Sequence, residues 1–232
     1  MRRHTPGVVP GTHLIPALIA RAEREDAKRV IRLLEPLVLE RRRDRLLDVI
    51  GKRLSSIQVV FDAPHDPHNG AAVVRSCEAL GVQFVHVIER KETFLASPTV
   101  ARGSEKWVDL KRWTSPEECI ASLQAQDLEL VAAHADGELE PADLASIPRM
   151  AIVLGNERDG IAADLAAACT KRVRVPMRGF VESLNVSVTA AILLSYAVKD
   201  RPGDLSEEDR DRLFARGLYF TVDRADDVLK NE

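Results

Sequence analysis

No two glycines of this chain are separated by a single residue. That removes the G-x-G-x-x-G loop that lays a pyrophosphate on a helix N-terminus, and with it the Gly-rich loop of Rossmann-type methyltransferases. A G-x-x-x-x-G-K-[ST] loop, a G-x-S-x-G elbow and an H-E-x-x-H helix are also missing, so the common nucleotide, hydrolase and zinc-protease readings lose their anchor. Cysteine is scarce: Cys77, Cys119 and Cys169 stand far apart and are odd in number. Such usage speaks against a disulfide framework or a zinc site and for a reducing compartment. No apolar run is long enough to span a membrane, and residues 1–16 lack the apolar centre of a signal peptide. The expectation is a cytoplasmic protein with no membrane contact. The formal net charge of −3 gives no overall sign of nucleic acid, so any basic surface must be local.

What is present is an α/β pattern. With 232 residues the chain is long enough for one α/β domain with short extensions. Strands are expected at 57–61, 82–88, 108–113, 128–133, 151–154 and 172–175, with helices between them at 69–80, 115–126 and 161–169. That alternation predicts a parallel sheet with helices on both faces. Residues 1–54 read as a basic helical extension, whose first 16 residues form a mobile arm. Residues 55–200 are the main domain, and 201–232 a charged helical tail in which Arg216 to Phe220 pack back. Residues 21–53 hold eleven Lys or Arg against seven Asp or Glu. Arg41, Arg42, Arg43 and Arg45 are the densest group, followed by Lys52 and Arg53. A charge run is often only a solvated face, and a nucleic-acid contact is the other reading. Leu39, Leu46, Leu47, Ile50 and Leu54 mark the apolar side of that helix.

Three polar clusters follow strands. In His65-Asp66-Pro67-His68-Asn69-Gly70, Asn69 is placed to cap a helix that carries Arg75, outside a strand's carboxyl end, where open α/β sheets bind ligands. His65 and His68 find no third ligand at suitable spacing, so no metal is expected. In Leu154-Gly155-Asn156-Glu157-Arg158-Asp159-Gly160, Gly155 lets a ligand approach the backbone and Glu157 follows two residues later. The third cluster lies before the most apolar helix of the chain. There Ser183 or Asn185 is the N-cap, and Val186, Val188 and Ala190 to Leu194 leave so little polar face that burial on all sides is predicted. Each cluster also has a plainer reading, as a capped helix or a charged turn.

The three together resemble the ordered motifs of the SPOUT methyltransferases, in the SpoU or TrmH branch that methylates ribose 2′-oxygens in RNA. Residues 65–69 with Arg75, Leu154 to Glu157, and Ser183 to Val188 stand in family order and spacing, and the resemblance runs over most of 40–220. Asn156, and Gly70-Ala71, depart mildly from the commoner residues. Residues Ala101 to Trp107, the basic helix and Arg216 to Tyr219 resemble the subgroup acting on the D-loop guanosine of tRNA. The resemblance implies a C-terminal trefoil knot, a homodimer and S-adenosyl-L-methionine as cofactor, held by backbone around Ala133, Gly155, Val175, Met177 and Leu184. It assigns catalysis to Arg75, with Asn69, Glu157, Ser183 and Asn185 around it, without a metal. Methylation of ribosomal RNA or another tRNA position, or RNA binding without catalysis, are the alternatives.

Overall fold

The structure, a computed structural model, describes residues 19–20, 22–23, 25–90, 103–156 and 158–230. The chain divides into two compact units, one taking residues up to Asp48 together with Glu207 onward, the other Val49–Ser206.

The larger unit is built on six parallel strands: β1 (Ile57–Asp62), β2 (Phe84–Ile88), β3 (Asp109–Trp113), β4 (Glu129–Ala133), β5 (Met150–Leu154) and β6 (Lys171–Val173). Their order is β3-β2-β1-β5-β4-β6. β1, β5 and most of β4 are buried, which is why they read as near-continuous apolar runs. Side chains alternate between two cores. Val59, Phe61, Ile152 and Leu154 meet Val73, Cys77, Leu193 and Leu194 on one face. Val60, Ala151 and Val153 meet Cys119, Leu123 and Leu165 on the other. The helices are α3 (Pro67–Ala79) and α6 (Val186–Ala197) on the first face, and α4 (Pro116–Gln124) and α5 (Ala163–Ala168) on the second. The expected α/β architecture with helices on both faces is therefore present.

Helix starts follow local chemistry. Ser115 Oγ accepts from the Glu118 N–H at 3.1 Å to open α4, with Pro116 in the first turn. Asp66, rather than Asn69, caps α3, and its carboxylate accepts from the His68 N–H at 2.8 Å. Pro67 fits the first helical position, and that fixes the cap one residue earlier. Gly81, with φ +79°, ends this stretch as expected.

The smaller unit contains α1 (Ala27–Leu34), most of α2 (Glu40–Ile50), α7 (Glu207–Tyr219) and α8 (Ala225–Lys230). Arg216, almost fully buried, pairs with Glu23, and Arg212 reaches the same carboxylate at 3.1 Å. Gly217 lets α7 lie against Leu46, because a Cβ there would come within 2.9 Å of its side chain. Of the leucines expected on one apolar side, Leu46 is buried while Leu39 and Leu47 are exposed, so the apolar stripe is narrower than its spacing indicated.

A buried polar chain crosses β1 to β3. Trp113 Nε1 donates to His86 Nδ1 at 2.9 Å, so His86 carries its proton on Nε2 and donates to Gln58 Oε1 at 2.8 Å. Gln58 in turn donates to the Ser55 carbonyl and to Gln126 Oε1. Burial, helped by Lys111, pushes the His86 imidazole down to about 4. Its folded value lies below the unfolded one, so the unfolded chain takes the proton first as pH falls. The neutral ring stabilises the fold fully above the unfolded value, and that contribution is lost between roughly pH 6.5 and 4. Urea unfolding should therefore report about 2 kcal/mol less stability at pH 5 than at pH 7. In His86→Gln this pH dependence should flatten.

Candidate functional site

The carboxyl ends of β4, β5 and β6 open into a cleft of about 830 Å³, within the usual range for small-molecule sites. It lies next to β1, where the order of strands reverses, the place at which open α/β sheets bind ligands. Ala133, Gly155, Val175, Met177 and Leu184 all line it, as do Ser183 and Asn185.

Each wall has a local cause. After β5, a Cβ on Gly155 would sit 2.2 Å from the Gly160 carbonyl carbon, so only glycine lets the chain double back here. The Asn156 and Gly160 backbones bond each other at 3.1 and 3.2 Å. The Asn156 side chain accepts from the Arg158 and Asp159 N–H groups, and Gly160 takes φ +70°. After β4, residues 134–139 run beside β6. The His134 N–H donates to the Val173 carbonyl, and Leu139 exchanges bonds with Arg172 and Arg174. A Cβ on Gly137 would meet Val173 at 2.5 Å. Past β6, the irregular stretch 174–185 leads into α6.

Asn185 joins two of the predicted clusters. Its Oδ1 accepts from the Ser187 N–H at 2.8 Å and from Ser187 Oγ at 2.6 Å, capping α6. Its amide nitrogen donates to Asn69 Oδ1 at 3.0 Å. Asn69 thus sits in the first turn of α3, facing the cap of α6, and α3 packs on α6. Arg75 is in the third turn of α3, not near its start. Six residues separate it from Asn69, which on a helix is about 9 Å along the axis and a third of a turn around it. Arg75 is exposed, does not line the cleft, and makes no hydrogen bond or ion pair among the described residues. Glu157, Ala101 and Arg102 lie outside the described residues.

α6 differs from its expectation. Ala190, Leu193, Leu194 and Ala197 are buried, but Val188 is 45% and Tyr196 44% exposed. Within one chain, therefore, only one side of the helix is covered.

Among the basic residues, Arg41, Arg42 and Arg45 are exposed on α2, with Arg45 3.8 Å from Asp48. Arg43 is held by Asp44 at 3.0 Å and Glu40 at 3.7 Å. Lys52 is exposed. Arg53 is corrected: it is 3% exposed and its guanidinium pairs with Glu78 at 3.1 Å, so it faces no phosphate in solvent.

Sequence reasoning missed His134, which lines the cleft, and Asp62, Arg90 and Asp164. Hydrogen bonds from Arg90 hold the Asp164 carboxyl below its usual range. Among the described residues no group of three or more His, Cys, Asp or Glu is placed to hold a metal ion, and no helix is long and apolar enough to cross a membrane.

The profile of the SpoU rRNA Methylase family matches residues 56–195. The tRNA (guanosine(18)-2'-O)-methyltransferase of Escherichia coli (strain K12) is 28% identical over 185 residues, covering 75% of this chain and 81% of that protein. The crystal structure of the A. aeolicus TrmH/SpoU tRNA modifying enzyme matches with a TM-score of 0.71 at 27% identity, over 80% of this chain and 98% of that one. The SpoU methyltransferase AviRb from Streptomyces viridochromogenes, solved in complex with the cofactor AdoMet, matches with a TM-score of 0.58 at 28% identity, over 66% and 63%.

Proposed function

Because the chain belongs to the SpoU rRNA methylase family, we propose that it transfers a methyl group from S-adenosyl-L-methionine to a ribose 2′-oxygen of tRNA, at guanosine 18 of the D-loop. The observation that carries this reading is the cleft at the ends of β4, β5 and β6, joined to α3 by the Asn185–Asn69 hydrogen bond. The residues present fit the cofactor. The Gly155 turn has no room for a Cβ, and apolar residues at strand ends leave the polar bonds to the main chain, which suits a flat adenine. Ala133, Gly155, Val175, Met177 and Leu184 would hold it. When bound, S-adenosylmethionine supplies an electrophilic methyl group on a sulfonium centre. The knot belongs to the same reading: residues 174–185 would thread an earlier loop, and their sharing of one cleft with the Gly155–Ile161 turn supports it.

The chain's own work is to hold a ribose hydroxyl in line and accommodate its lost proton. Arg75, exposed on α3 and without a hydrogen bond or ion pair among the described residues, has the reach and the planar fork to grip a substrate phosphate beside that hydroxyl. Arginine is a poor base, since a guanidinium does not give up its proton in a protein, so its part is charge stabilisation or activation through the phosphate. Asn69, Ser183 and Asn185 supply polar groups around it, and Glu157 joins them in this reading. The exposed arginines of α2 take the tRNA backbone. The chain works as a homodimer in which a second copy covers Val188 and Tyr196.

Incubation with labelled cofactor and separate tRNA and ribosomal RNA pools tests the substrate: label should enter tRNA at guanosine 18, and label confined to ribosomal RNA would overturn that choice. Arg75→Ala should lose nearly all transfer while still binding S-adenosylmethionine, and Arg75→Lys should be almost as inactive. Single-turnover methylation at saturating cofactor measures both, and a near wild-type alanine variant would show that the catalytic residue is another. Replacing Arg41, Arg42 and Arg45 together by alanine should make the logarithmic salt dependence of tRNA binding shallower by about 2 to 3, close to one for each phosphate no longer neutralised. An unchanged slope would leave these arginines a solvated face. Sedimentation at micromolar concentration should give a dimer, and monomer alone would rule the dimer out.

A further inference from the structure

Asp62 is the last residue of the central strand and is only 1% exposed. A carboxylate there is costly unless donors surround it. Three do. Arg90 Nε reaches Asp62 Oδ1 at 2.7 Å and Arg90 Nη2 reaches Oδ2 at 3.4 Å. The Ala162 N–H donates to Oδ2 at 2.8 Å. Arg90 in turn grips Asp164 through both terminal nitrogens, at 2.9 and 2.7 Å. The fork of a single guanidinium is thus shared between two carboxylates, an arrangement lysine cannot reproduce.

The placement matters more than the strength. Phe61 pairs with Leu154 across β1 and β5, so Asp62 stands beside Gly155, where the turn begins. Ala162, bonded to the Asp62 carboxylate, is where that turn ends. Gly155, Asn156, Gly160 and Ile161 between them form one wall of the cleft. Both feet of the wall are therefore held at one point: the first by strand register, the second by Asp62, which Arg90 neutralises and orients.

We propose that Asp62 and Arg90 are positioning residues for the methyl-donor cleft, fixing the Gly155–Ala162 wall against the end of β1 and so setting the fit of the cofactor. Neither touches the reacting atoms in this scheme. The inference rests on the reading of the cleft as the S-adenosylmethionine site. It assigns the pair to cofactor affinity and not to tRNA binding or to the rate of transfer from the filled site. Hydrogen bonds that Arg90 donates to Asp164 and Asp62 raise its guanidinium further above its ordinary value, so its charge is constant through any assay range. Asp164 is the outer support, because removing its charge leaves the Asp62–Ala162 bond intact.

The test uses the full chain and calorimetry with S-adenosylmethionine, with steady-state methylation beside it. Asp62→Ala and Arg90→Gln should each raise the cofactor Kd and KM about tenfold, the order of one lost charged hydrogen bond. The KM for tRNA, and kcat at saturating cofactor, should stay within about twofold. Asp62→Asn keeps an acceptor for the Ala162 N–H and should recover part of the affinity. Asp164→Asn should change it less than Asp62→Ala does. A merely structural role would lower the melting temperature and the active fraction but leave the KM of the surviving molecules unchanged, and that result overturns the proposal. Arg90 is partly exposed and its glutamine variant is the one expected to fold if Asp62→Ala does not. A folded Arg90→Gln protein with wild-type cofactor affinity also overturns it. Failure of the wild-type chain to bind S-adenosylmethionine would instead remove the reading of the cleft, and this inference with it.

Discussion

β5 pairs with β1 from Ile57↔Met150 to Phe61↔Leu154, and the sheet grows outward from that pair in both directions. β2 and β3 extend it one way, β4 and β6 the other. A parallel pair buried on both faces has no solvent-exposed variant available to it, so its register is fixed by packing along its whole length. The register decides where Gly155 emerges, which places the wall of the cleft beside the end of β1. Everything else at the site is positioned relative to that point: the β4 loop by its bonds to β6, and the cap of α6 by Asn69.

What the chain disclosed as a string was the part governed by neighbours in sequence. The strand cores were legible because fully buried strands are short apolar runs, as in Met150 to Leu154. The Asn185 cap was legible because an amide before an apolar run has a local job to do. The cap at Asp66, in place of Asn69, also has a local signal, since Pro67 at the head of the helix points to the residue before it. Other features had no local signal. Arg53 reads as one more cation in a basic stretch, and only the fold shows Glu78 beside it. Asp62, Arg90 and Asp164 are far apart in the chain and carry no motif, so their meeting follows from topology alone.

α6 illustrates a limit of reading apolar content as burial. Its composition is apolar nearly all round, yet the single chain covers only the side of Ala190, Leu193 and Leu194. Hydrophobic periodicity reports how much surface must be removed from water, not which molecule removes it. The terminal unit shows a different compromise. α1 and α7, from opposite ends of the sequence, pack together around the buried Arg216 and its partner Glu23. A buried cation of this kind contributes little net stability but is costly to strand, so the two ends are tied to each other more by the cost of separation than by gain on meeting.

The central pair also has a consequence for how the molecule is made. β1 emerges early in synthesis and must wait for β5, with β2, β3 and β4 intervening, before it gains its second neighbour. Such long-range parallel pairing makes folding slow and leaves half-formed edges exposed meanwhile. The residues 174–185 that complete the cleft come later still. A nascent chain that ends before residue 185 therefore lacks part of the cleft lining, and a small molecule that fits the cleft would select chains in which it is complete, drawing the population toward the native state by mass action.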